Sequence, residues 1–468
     1  MSTKISILSG LMDGQVLQRD SKGRGKTLVK GLTLRSVSGP VRVRVKKNGR
    51  ILSGFKTRII GQCRNGAWQA ILDRLPTGGK YDITFTIGPG METTVKKVMV
   101  GDVWVLAGQS NMKGVGDVKD ALKPHPLVHA YYHWEQWGVA REPIGFLEGS
   151  PDPIHTPSPL TGKKLMDVWQ QLPKGVGPGL AFAREMVKFT GVPQGLIPCA
   201  QGGTSLERWS PKLKGLGGGS LYGSMLRRFK KVGQPIKGML WYQGESDGGL
   251  LQAPKYTSNM KKMVAAVRRD FKQPDLPWIT VQLAGVVGLR WCQPGWVSVR
   301  DQQRLLPKID KKMTMVPAID LPLEDEIHVS AVGHNILGRR MARAACSLLK
   351  LKKGIKPPIT VKKIRYVPSD FPGFEPDIEV SYNNVTGKLV SDGFPTGFAL
   401  VDQDDVNLHA VCRVFLEGTR VRIRHAFMSQ LPKKLFLAYG FELDGYCNIH
   451  DEAGMGLPGF APQKIEKG

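Results

Sequence analysis

One serine stands directly after an apolar run in the segment "VWVLAGQSNMKG" (103–114). The run is typical of a buried strand, and the polar residues after it are typical of a turn into a helix. A serine at such a bend can act as a nucleophile when a base and an orienting acid reach it from elsewhere in the chain. A helix beginning near Asn111 would also direct its amide groups toward Ser110 and stabilise an oxyanion there. An ordinary turn in which Ser110 and Asn111 cap the helix explains the pattern equally well.

A carboxylate and an imidazole lie three residues apart in the later segment "DEIHVS" (325–330). This spacing lets one short loop present both groups, with Asp325 bound to one ring nitrogen of His328 and the other nitrogen facing a serine. A solvent-exposed loop histidine is the alternative interpretation of His328. The nearby His334 falls inside the following predicted helix, where a structural or surface role is expected.

Two further segments, "QGGTSLERW" and "WYQGESD", carry groups suited to stabilising negative charge. Gly202 and Gly203 would let a backbone N–H approach a substrate closely. In the second segment, the Gln243 amide could donate to an oxyanion, and the carboxylate of Glu245 or Asp247 could steady a histidine. A tight turn would also explain the glycines, and a polar loop with a helix-capping aspartate would explain the acidic residues.

These groups all follow short apolar runs that alternate with amphipathic helical patterns from residue 101 onward. Such alternation predicts a parallel sheet covered on both faces by helices, with ligands bound at the carboxyl ends of its strands. The four candidate segments follow the first, second, third and fifth strands. The five predicted strands are 103–107, 195–199, 236–242, 277–283 and 314–319.

The flanking parts of the chain show the period-two pattern of β structure instead. The segment 113–178, rich in Pro, Gly and aromatic residues, interrupts the central alternation and predicts a long functional loop that covers a substrate pocket. We therefore expect a doubly wound parallel five-stranded sheet flanked by β-sandwich-like regions. The predicted domains are an N-terminal β domain at 1–100, a catalytic domain at 101–352 and a C-terminal β domain at 353–468.

The charge balance is strongly basic, with 67 Lys and Arg against 39 Asp and Glu and a net charge of +28 over 468 residues. An excess of this size suggests a polyanionic partner. The basic residues are spread in short groups, and no helix-turn-helix, zinc-finger or RNA-recognition signature accompanies them. We therefore expect no specific nucleic-acid partner, and a solvated basic surface that favours acidic substrates or matrices.

Other composition features set the broad class of the protein. No apolar run approaches the roughly 20 residues that span a bilayer, so no membrane span is expected. The N-terminal residues match a secretory signal poorly, which predicts a cytoplasmic protein, or a secreted or periplasmic one if a leader has been removed. Neither a CxxC pair nor a Cys/His cluster at zinc spacing occurs, so we expect buried thiols and no metal. The sequence contains neither a phosphate loop nor a GxGxxG motif, so we expect no nucleotide cofactor.

Together the motifs resemble the sialate O-acetylesterase family, a branch of the SGNH hydrolases, and the similarity covers nearly the whole chain. The "LMDGQVLQRD" near the N-terminus and the closing "GFELDGYCNIHDEAGMGLPGFAP" resemble the ends of the family's flanking β regions. The central matching blocks are "GDVWVLAGQSNM" (101–112), "QGGTSLERW" (201–209), "WYQGESD" (241–247), "WVSVRDQQ" (296–303) and "DEIH" (325–328).

The resemblance implies a role for each matched residue. It makes Ser110 the nucleophile, His328 the general base and Asp325 its orienting acid. The implied oxyanion donors are the backbone amides of Ser110 and Gly203 with the side chain of Gln243. Glu245 matches the position where some relatives place a second carboxylate near the histidine. Many SGNH enzymes have an asparagine in the block that here reads "QGES".

The implied reaction is acyl transfer from an acetylated sugar to Ser110, followed by hydrolysis, without cofactor or metal. A sialic acid carries a carboxylate, so a forked arginine is expected in the pocket, and Arg141, Arg208 and Arg290 are the candidates. Arg300, in "WVSVRDQQ", fits either a pocket arginine or a structural ion pair. Acetylated xylan or another polysaccharide is the alternative substrate. A non-catalytic protein that binds carbohydrate or polyanion on a hydrolase scaffold is the alternative from another class.

Overall fold

The computed structural model describes residues 5–34, 36–288, 293–370, 375–426, 429 and 431–467. It shows a mixed α/β fold with one large mixed sheet and β-rich regions on either side. The sequence-predicted Arg290, together with Cys292, lies outside the described residues.

The N-terminal region is built from antiparallel strands whose side chains alternate between solvent and core. In the strand Arg24–Thr33, every second residue from Gly25 to Gly31 is buried, which is the period-two pattern of a half-buried strand. Its own apolar core includes Val43, Trp68 and Phe85. The strands are β1 (Ile5–Ser9), β2 (Val16–Gln18), β3 (Arg24–Thr33), β4 (Gly39–Lys47), β5 (Arg50–Ile51), β6 (Arg58–Arg64), β7 (Ala67–Pro76), β8 (Gly78–Ile87) and β9 (Glu92–Gly108).

The long strand β9 joins the N-terminal region to the central region. Its first part pairs antiparallel with β8, and its second part pairs in parallel with two central strands. All residues from Val98 to Gly108 are buried, as expected for a strand covered on both faces. The predicted domain boundary at residue 100 therefore falls inside one continuous strand, which ends two residues before Ser110.

The central region alternates strands and helices around the second part of β9. Its described residues also form short 3-10 helices at Val118–Asp120, Pro211–Gly219, Glu245–Asp247 and Ala253–Lys255. The regular elements are α1 (Ser110–Lys113), β10 (Gly116–Asp117), β11 (Val128–Tyr131), β12 (Trp137–Val139), α2 (Gly162–Gln171), β13 (Lys174–Val176), α3 (Pro178–Thr190), β14 (Gln194–Pro198), α4 (Leu221–Val232), β15 (Gly238–Tyr242), α5 (Tyr256–Asp270), β16 (Trp278–Gln282), α6 (Gln293–Ile309), β17 (Met313–Pro317) and α7 (Ala331–Leu348).

The parallel strands lie in the order β11-β14-β9-β15-β16-β17, so the chain leaves β9 toward both edges of the sheet. The five predicted strands coincide with the second part of β9 and with β14 to β17. The sequence prediction lacked β11, a sixth parallel strand, and β12, which pairs antiparallel with it. Both lie in 113–178, which is therefore not an irregular loop throughout. Its strand residues Val128 to Tyr131 are all buried, a pattern too short to recognise among the aromatic and proline residues around it.

Local sequence signals explain the ends of the central helices. Ser330 precedes α7 and accepts a hydrogen bond from the Gly333 amide at 3.2 Å, which satisfies one of the free N–H groups of the first turn. Pro178 opens α3, and Gly191 follows its end with a left-handed φ of 67°. His334 is fully buried in α7, so its role is structural.

The C-terminal β-rich region packs against α7. Arg340 of α7 forms two 2.6 Å bonds with Asp320 and donates to the Gly454 carbonyl at 2.6 Å. Cys412 in this region is exposed, whereas a buried thiol was expected. The strands are β18 (Thr360–Val367), β19 (Asp377–Asn383), β20 (Leu389–Ser391), β21 (Phe398–Val401), β22 (Val411–Glu417), β23 (Arg420–His425), β24 (Phe436–Tyr439), β25 (Ile449–Asp451) and β26 (Phe460–Lys464).

Candidate active site

Ser110 lies at the carboxyl end of β9, where the strand turns sharply into the single helical turn α1. The turn depends on Gly108, whose φ is 132° and where an added Cβ would come within 2.0 Å of the Tyr242 carbonyl oxygen. The predicted helix after the serine is only four residues long. Because the helix dipole grows with aligned peptide units, individual backbone amides matter more here than the dipole of α1.

The structure brings together the three residues of the predicted triad. The Nε2 atom of His328 lies 2.9 Å from the Ser110 hydroxyl oxygen, and its Nδ1 atom lies 2.8 Å from an Asp325 carboxylate oxygen. The side chains of His328 and Asp325 are 24% and 38% exposed, so the imidazole is open to solvent as well as to the serine. This is the geometry in which a carboxylate orients an imidazole to accept a proton from a serine hydroxyl.

Asp325 also shapes the loop that carries the histidine. One of its oxygens accepts the Ile327 amide at 3.0 Å and the His328 amide at 2.9 Å. Partial burial acts to raise the pKa of Asp325, but the hydrogen bonds from the His328 ring and from these amides outweigh it and hold the pKa below its ordinary value. Asp325 is therefore a carboxylate when the imidazole is neutral.

Asn111 connects this loop to a buried carboxylate. Its Nδ2 donates to Glu245 at 2.7 Å, and its Oδ1 accepts the Val329 amide at 2.9 Å. Burial raises the pKa of Glu245, with the Asn111 hydrogen bond opposing that rise. Glu245 therefore reaches the histidine loop through Asn111. The sequence interpretation missed these contacts of Asn111, because an asparagine after the serine fits a helix cap just as well.

The side chain of Gln243 is fully buried and has other partners than the serine. Its Nε2 donates to the Asp247 carboxylate and, at 3.0 Å, to the Thr204 carbonyl. Asp247 in turn accepts the Leu206 amide at 2.9 Å. Among the described residues, none of the hydrogen bonds of Gln243 reaches Ser110. In this structure the predicted oxyanion donor joins the turn after β14 to the loop after β15.

That turn after β14 passes directly beside the serine. A Cβ on Gly202 would lie 3.7 Å from the Ser110 Cβ, and Gly203 has a φ of 64° with open space where its side chain would be. The backbone amides of Ser110 and Gly203 remain as the predicted oxyanion donors that the turn can present.

Arg208 is the predicted pocket arginine that the structure places at this turn. Its Nη1 donates to the Gly203 carbonyl at 3.3 Å, and the side chain is exposed. Arg141 is exposed as well, but its backbone binds the Tyr132 hydroxyl and no described contact connects it to the turn. Arg300 is buried in α6 and donates to the carbonyls of Leu283, Ala284 and Gly440.

The segment 113–178 reaches the same edge of the sheet through His155. Its Nδ1 lies 2.7 Å from the side-chain oxygen of Gln201, the residue before Gly202, and its Nε2 lies 3.1 Å from the Ser224 hydroxyl. Burial lowers the pKa of His155, so the ring is neutral at pH 7. The contact attaches the predicted cover segment to the turn beside Ser110.

A cavity of about 660 Å³ lies elsewhere, between α7 and the C-terminal region. Its wall includes Leu321 and Leu323, which precede the histidine loop, but none of Ser110, Asp325 or His328. Among the described residues, no group of three or more His, Cys, Asp or Glu is arranged to hold a metal ion. Within the same part of the chain, every helix is too short or too polar to cross a bilayer.

Comparison with known families places the central region of the chain in one family. The sequence model described as "Carbohydrate esterase, sialic acid-specific acetylesterase" matches residues 100–347, which include Ser110, Asp325 and His328. The chain belongs to this family of carbohydrate acetylesterases. The protein is therefore a hydrolase of carbohydrate esters.

Two individual relatives match part of the chain, and one solved structure matches nearly all of it. A probable carbohydrate esterase from Arabidopsis thaliana is 32% identical over 268 residues, 52% of this chain and 90% of the plant protein. The human sialate O-acetylesterase is 26% identical over 224 residues, 40% of this chain and 39% of the human protein. The solved structure of a carbohydrate acetylesterase from Xanthomonas citri, at 22% identity and a TM-score of 0.68, covers 97% of this chain and is itself covered to 99%, so the two share the fold.

Proposed function

We propose that this protein is a sialate O-acetylesterase that acts through Ser110, His328 and Asp325 on an SGNH-type domain. The observation that carries the proposal is the chain of contacts from the Ser110 hydroxyl to His328 at 2.9 Å and from His328 to Asp325 at 2.8 Å. Membership in the acetylesterase family makes an acetyl ester on a sugar hydroxyl the substrate class.

The reaction proceeds in two acyl transfers. The Nε2 atom of His328 takes the hydroxyl proton of Ser110, and the serine oxygen forms a bond to the acetyl carbonyl carbon. The resulting oxyanion accepts hydrogen bonds from the Ser110 and Gly203 amides. As the ester bond breaks, His328 returns the proton to the sugar oxygen. Water then attacks the acetyl-serine by the same route, and acetate leaves with Ser110 restored.

Arg208 supports a sugar acid as the substrate. It is exposed and lies one hydrogen bond from Gly203, so its guanidinium can reach a carboxylate on a sugar held beside Ser110. Its only described hydrogen bond from the side chain is to a carbonyl oxygen, which does not neutralise its charge. A neutral acetylated sugar, as in xylan, would use this residue only as a hydrogen-bond donor.

The test is acetate release from 4-nitrophenyl acetate, O-acetylated sialic acid and acetylated xylan by the wild type and by Ser110→Ala. We expect the serine variant to lose nearly all turnover on every substrate, since the nucleophile is absent. Full turnover by Ser110→Ala in a folded sample would refute the mechanism.

A second variant tests the substrate class. Arg208→Gln should raise KM for O-acetylated sialic acid about tenfold or more, because a charged hydrogen bond to the carboxylate is lost. The same variant should leave 4-nitrophenyl acetate hydrolysis within about twofold of wild type. Arg141→Gln is the matched control, and an equal KM rise in the control would refute the assignment of Arg208.

A further inference from the structure

The basic charge of the protein is concentrated in the N-terminal β region. Residues 1–100 contain 19 Lys and Arg and 5 Asp and Glu, a net charge of +14, which is half of the +28 of the whole chain. The excess positive charges of this region repel one another, and this repulsion destabilises its compact folded state. A region that keeps such an excess is suited to an anionic partner.

An open cavity of about 540 Å³ lies at one end of this region, and we call it the basic cavity. Four cationic side chains line it, and none of its described lining residues is acidic. The cationic residues are Lys22, Arg24, Arg58 and Arg74. They come from the turn before β3, the start of β3, the start of β6 and the end of β7, so strands far apart in sequence bring the charges together.

Only part of this charge is neutralised within the protein. Asp73 bonds to Arg58 at 2.6 Å and lies 3.9 Å from Arg74, which is 70% exposed. Among the described residues, no acidic side chain lies within ion-pairing distance of Lys22 or Arg24. The Asp20 carboxylate is near them, but it accepts their backbone amides, at 2.8 and 2.9 Å, and shapes the turn.

We propose that the basic cavity binds an acidic polysaccharide through its carboxylate or sulfate groups. Guanidinium groups match both anions, and the cavity is open to solvent. A single-stranded nucleic acid is disfavoured because such strands are held by stacking on exposed aromatic rings. Phe55 belongs to the wall of the cavity but is only 5% exposed, and the other three aromatic residues of 1–100, Trp68, Tyr81 and Phe85, are buried as well.

The benefit of such binding to the protein rests on the proposed esterase function, because the bound polymer would be the substrate. The strand β9 runs from the N-terminal sheet to within two residues of Ser110, so both regions belong to one hydrogen-bonded sheet. Val100, which pairs with Gly78 beside the cavity, lies roughly 33 Å from Ser110 along the extended strand, at about 3.3 Å per residue. A polymer longer than this, held at the cavity, presents its acetyl groups at Ser110 and raises their effective concentration there.

The test measures binding of the full chain to four probes at low salt: polygalacturonate, dextran sulfate, uncharged dextran and a short DNA duplex. We expect binding to one or both acidic polysaccharides and none to dextran. The first two probes distinguish a carboxylate from a sulfate as the recognised group. The double variant Lys22→Gln/Arg24→Gln should weaken that binding about tenfold or more, since two charges near an anionic partner are lost.

The matched control is Lys261→Gln/Lys262→Gln, which removes the same charge from the exposed face of α5. We expect it to change binding less than about twofold. Equal weakening by both pairs, tighter binding of DNA than of either polysaccharide, or no polysaccharide binding by the wild type would each overturn the proposal. Hydrolysis of 4-nitrophenyl acetate should be unchanged in both pairs. A failure of the proposed esterase function would show as a wild type that does not hydrolyse 4-nitrophenyl acetate. Polysaccharide binding, and its loss in Lys22→Gln/Arg24→Gln, would be unaffected by that failure.

Discussion

The edge of the central sheet that carries Ser110, Asp325 and His328, called the triad edge below, differs from the basic cavity of the N-terminal region in how its charged groups are paired. At the triad edge three acidic groups have specific partners: Asp325 bonds to His328, Glu245 to Asn111 and Asp247 to Gln243. Lys22 and Arg24 line the basic cavity, and neither has an acidic ion-pair partner among the described residues.

The difference teaches what each task requires of a fold. Proton transfer needs each atom within hydrogen-bond distance of the next, so the triad depends on individual contacts and on the loops that hold them. Electrostatic binding depends on the summed field of many groups and tolerates their movement. Substitutions at the triad edge should therefore have large local effects, and those in the basic cavity should have graded ones.

The strongest test of this contrast is Asp325→Asn. An amide in place of the carboxylate no longer orients the imidazole or stabilises its protonated form, so kcat should fall about 10³–10⁴-fold. Binding of the acidic polysaccharide should stay within about twofold of wild type. Steady-state kinetics beside a binding titration would check both, and an intact kcat would contradict the assigned role of Asp325.

The next effect in size concerns Asn111, which positions the histidine loop. Asn111→Ala leaves Glu245 buried without its 2.7 Å donor and the Val329 amide without its acceptor. Without these two contacts the loop that carries His328 is no longer held in place, and a misplacement of about 1 Å can cost about 100-fold in rate, so kcat should fall about 10–100-fold with little change in KM. The exposed Asn383→Ala provides the control. A role confined to stability would lower the melting temperature of Asn111→Ala while leaving kcat intact.

A third prediction concerns Glu142, a buried carboxyl in the cover segment. Burial raises its pKa to about 8, against the opposing hydrogen bonds from the Ile144 and Gly177 amides. Between its ordinary pKa of 4.5 and about 8, the unfolded chain releases this proton and the folded protein keeps it. The free energy of unfolding of the wild type therefore falls as pH rises through that window, by at most about 1.4 kcal/mol per pH unit.

Glu142→Gln removes the titrating group while keeping an acceptor for the two amides. The variant should match the wild type near pH 4.5 and be more stable near pH 8, as measured by urea unfolding at both values. The control Glu148→Gln replaces an exposed carboxylate and should leave the free energy of unfolding unchanged at both pH values. If wild type and Glu142→Gln lost stability equally between the two pH values, Glu142 would not be the protonated group.

The smallest expected effect is that of salt on hydrolysis of an uncharged ester. Short-range contacts within the triad are screened little, so 4-nitrophenyl acetate turnover should change less than about twofold between roughly 0.05 and 0.5 M NaCl. Polysaccharide binding should weaken steeply over the same range because bound counterions are released on association. Parallel salt dependence of the two would remove the distinction between the regions.

Several features of the site were predictable from local sequence. A strand that ends before Ser110, and an aspartate and a histidine three residues apart, are patterns that short-range geometry restricts. The role of Asn111 was not predictable, because its partners Glu245 and Val329 are 134 and 218 residues away. Gln243 shows the same limit, since a buried amide binds whichever acceptors surround it, here the Thr204 carbonyl and the Asp247 carboxylate.

The sequence by itself determined the alternation of helices with five of the parallel strands in the central chain, because hydrophobic periodicity and capping residues act over a few positions. It also determined the excess of positive charge in the first 100 residues. Only the tertiary structure decided that β11 joins the parallel sheet, that β9 passes from one region into the next, and that Lys22 and Arg74 line one cavity. All three features depend on contacts between segments that are distant in the sequence. Such contacts form only when the whole chain packs, and local sequence patterns do not encode them.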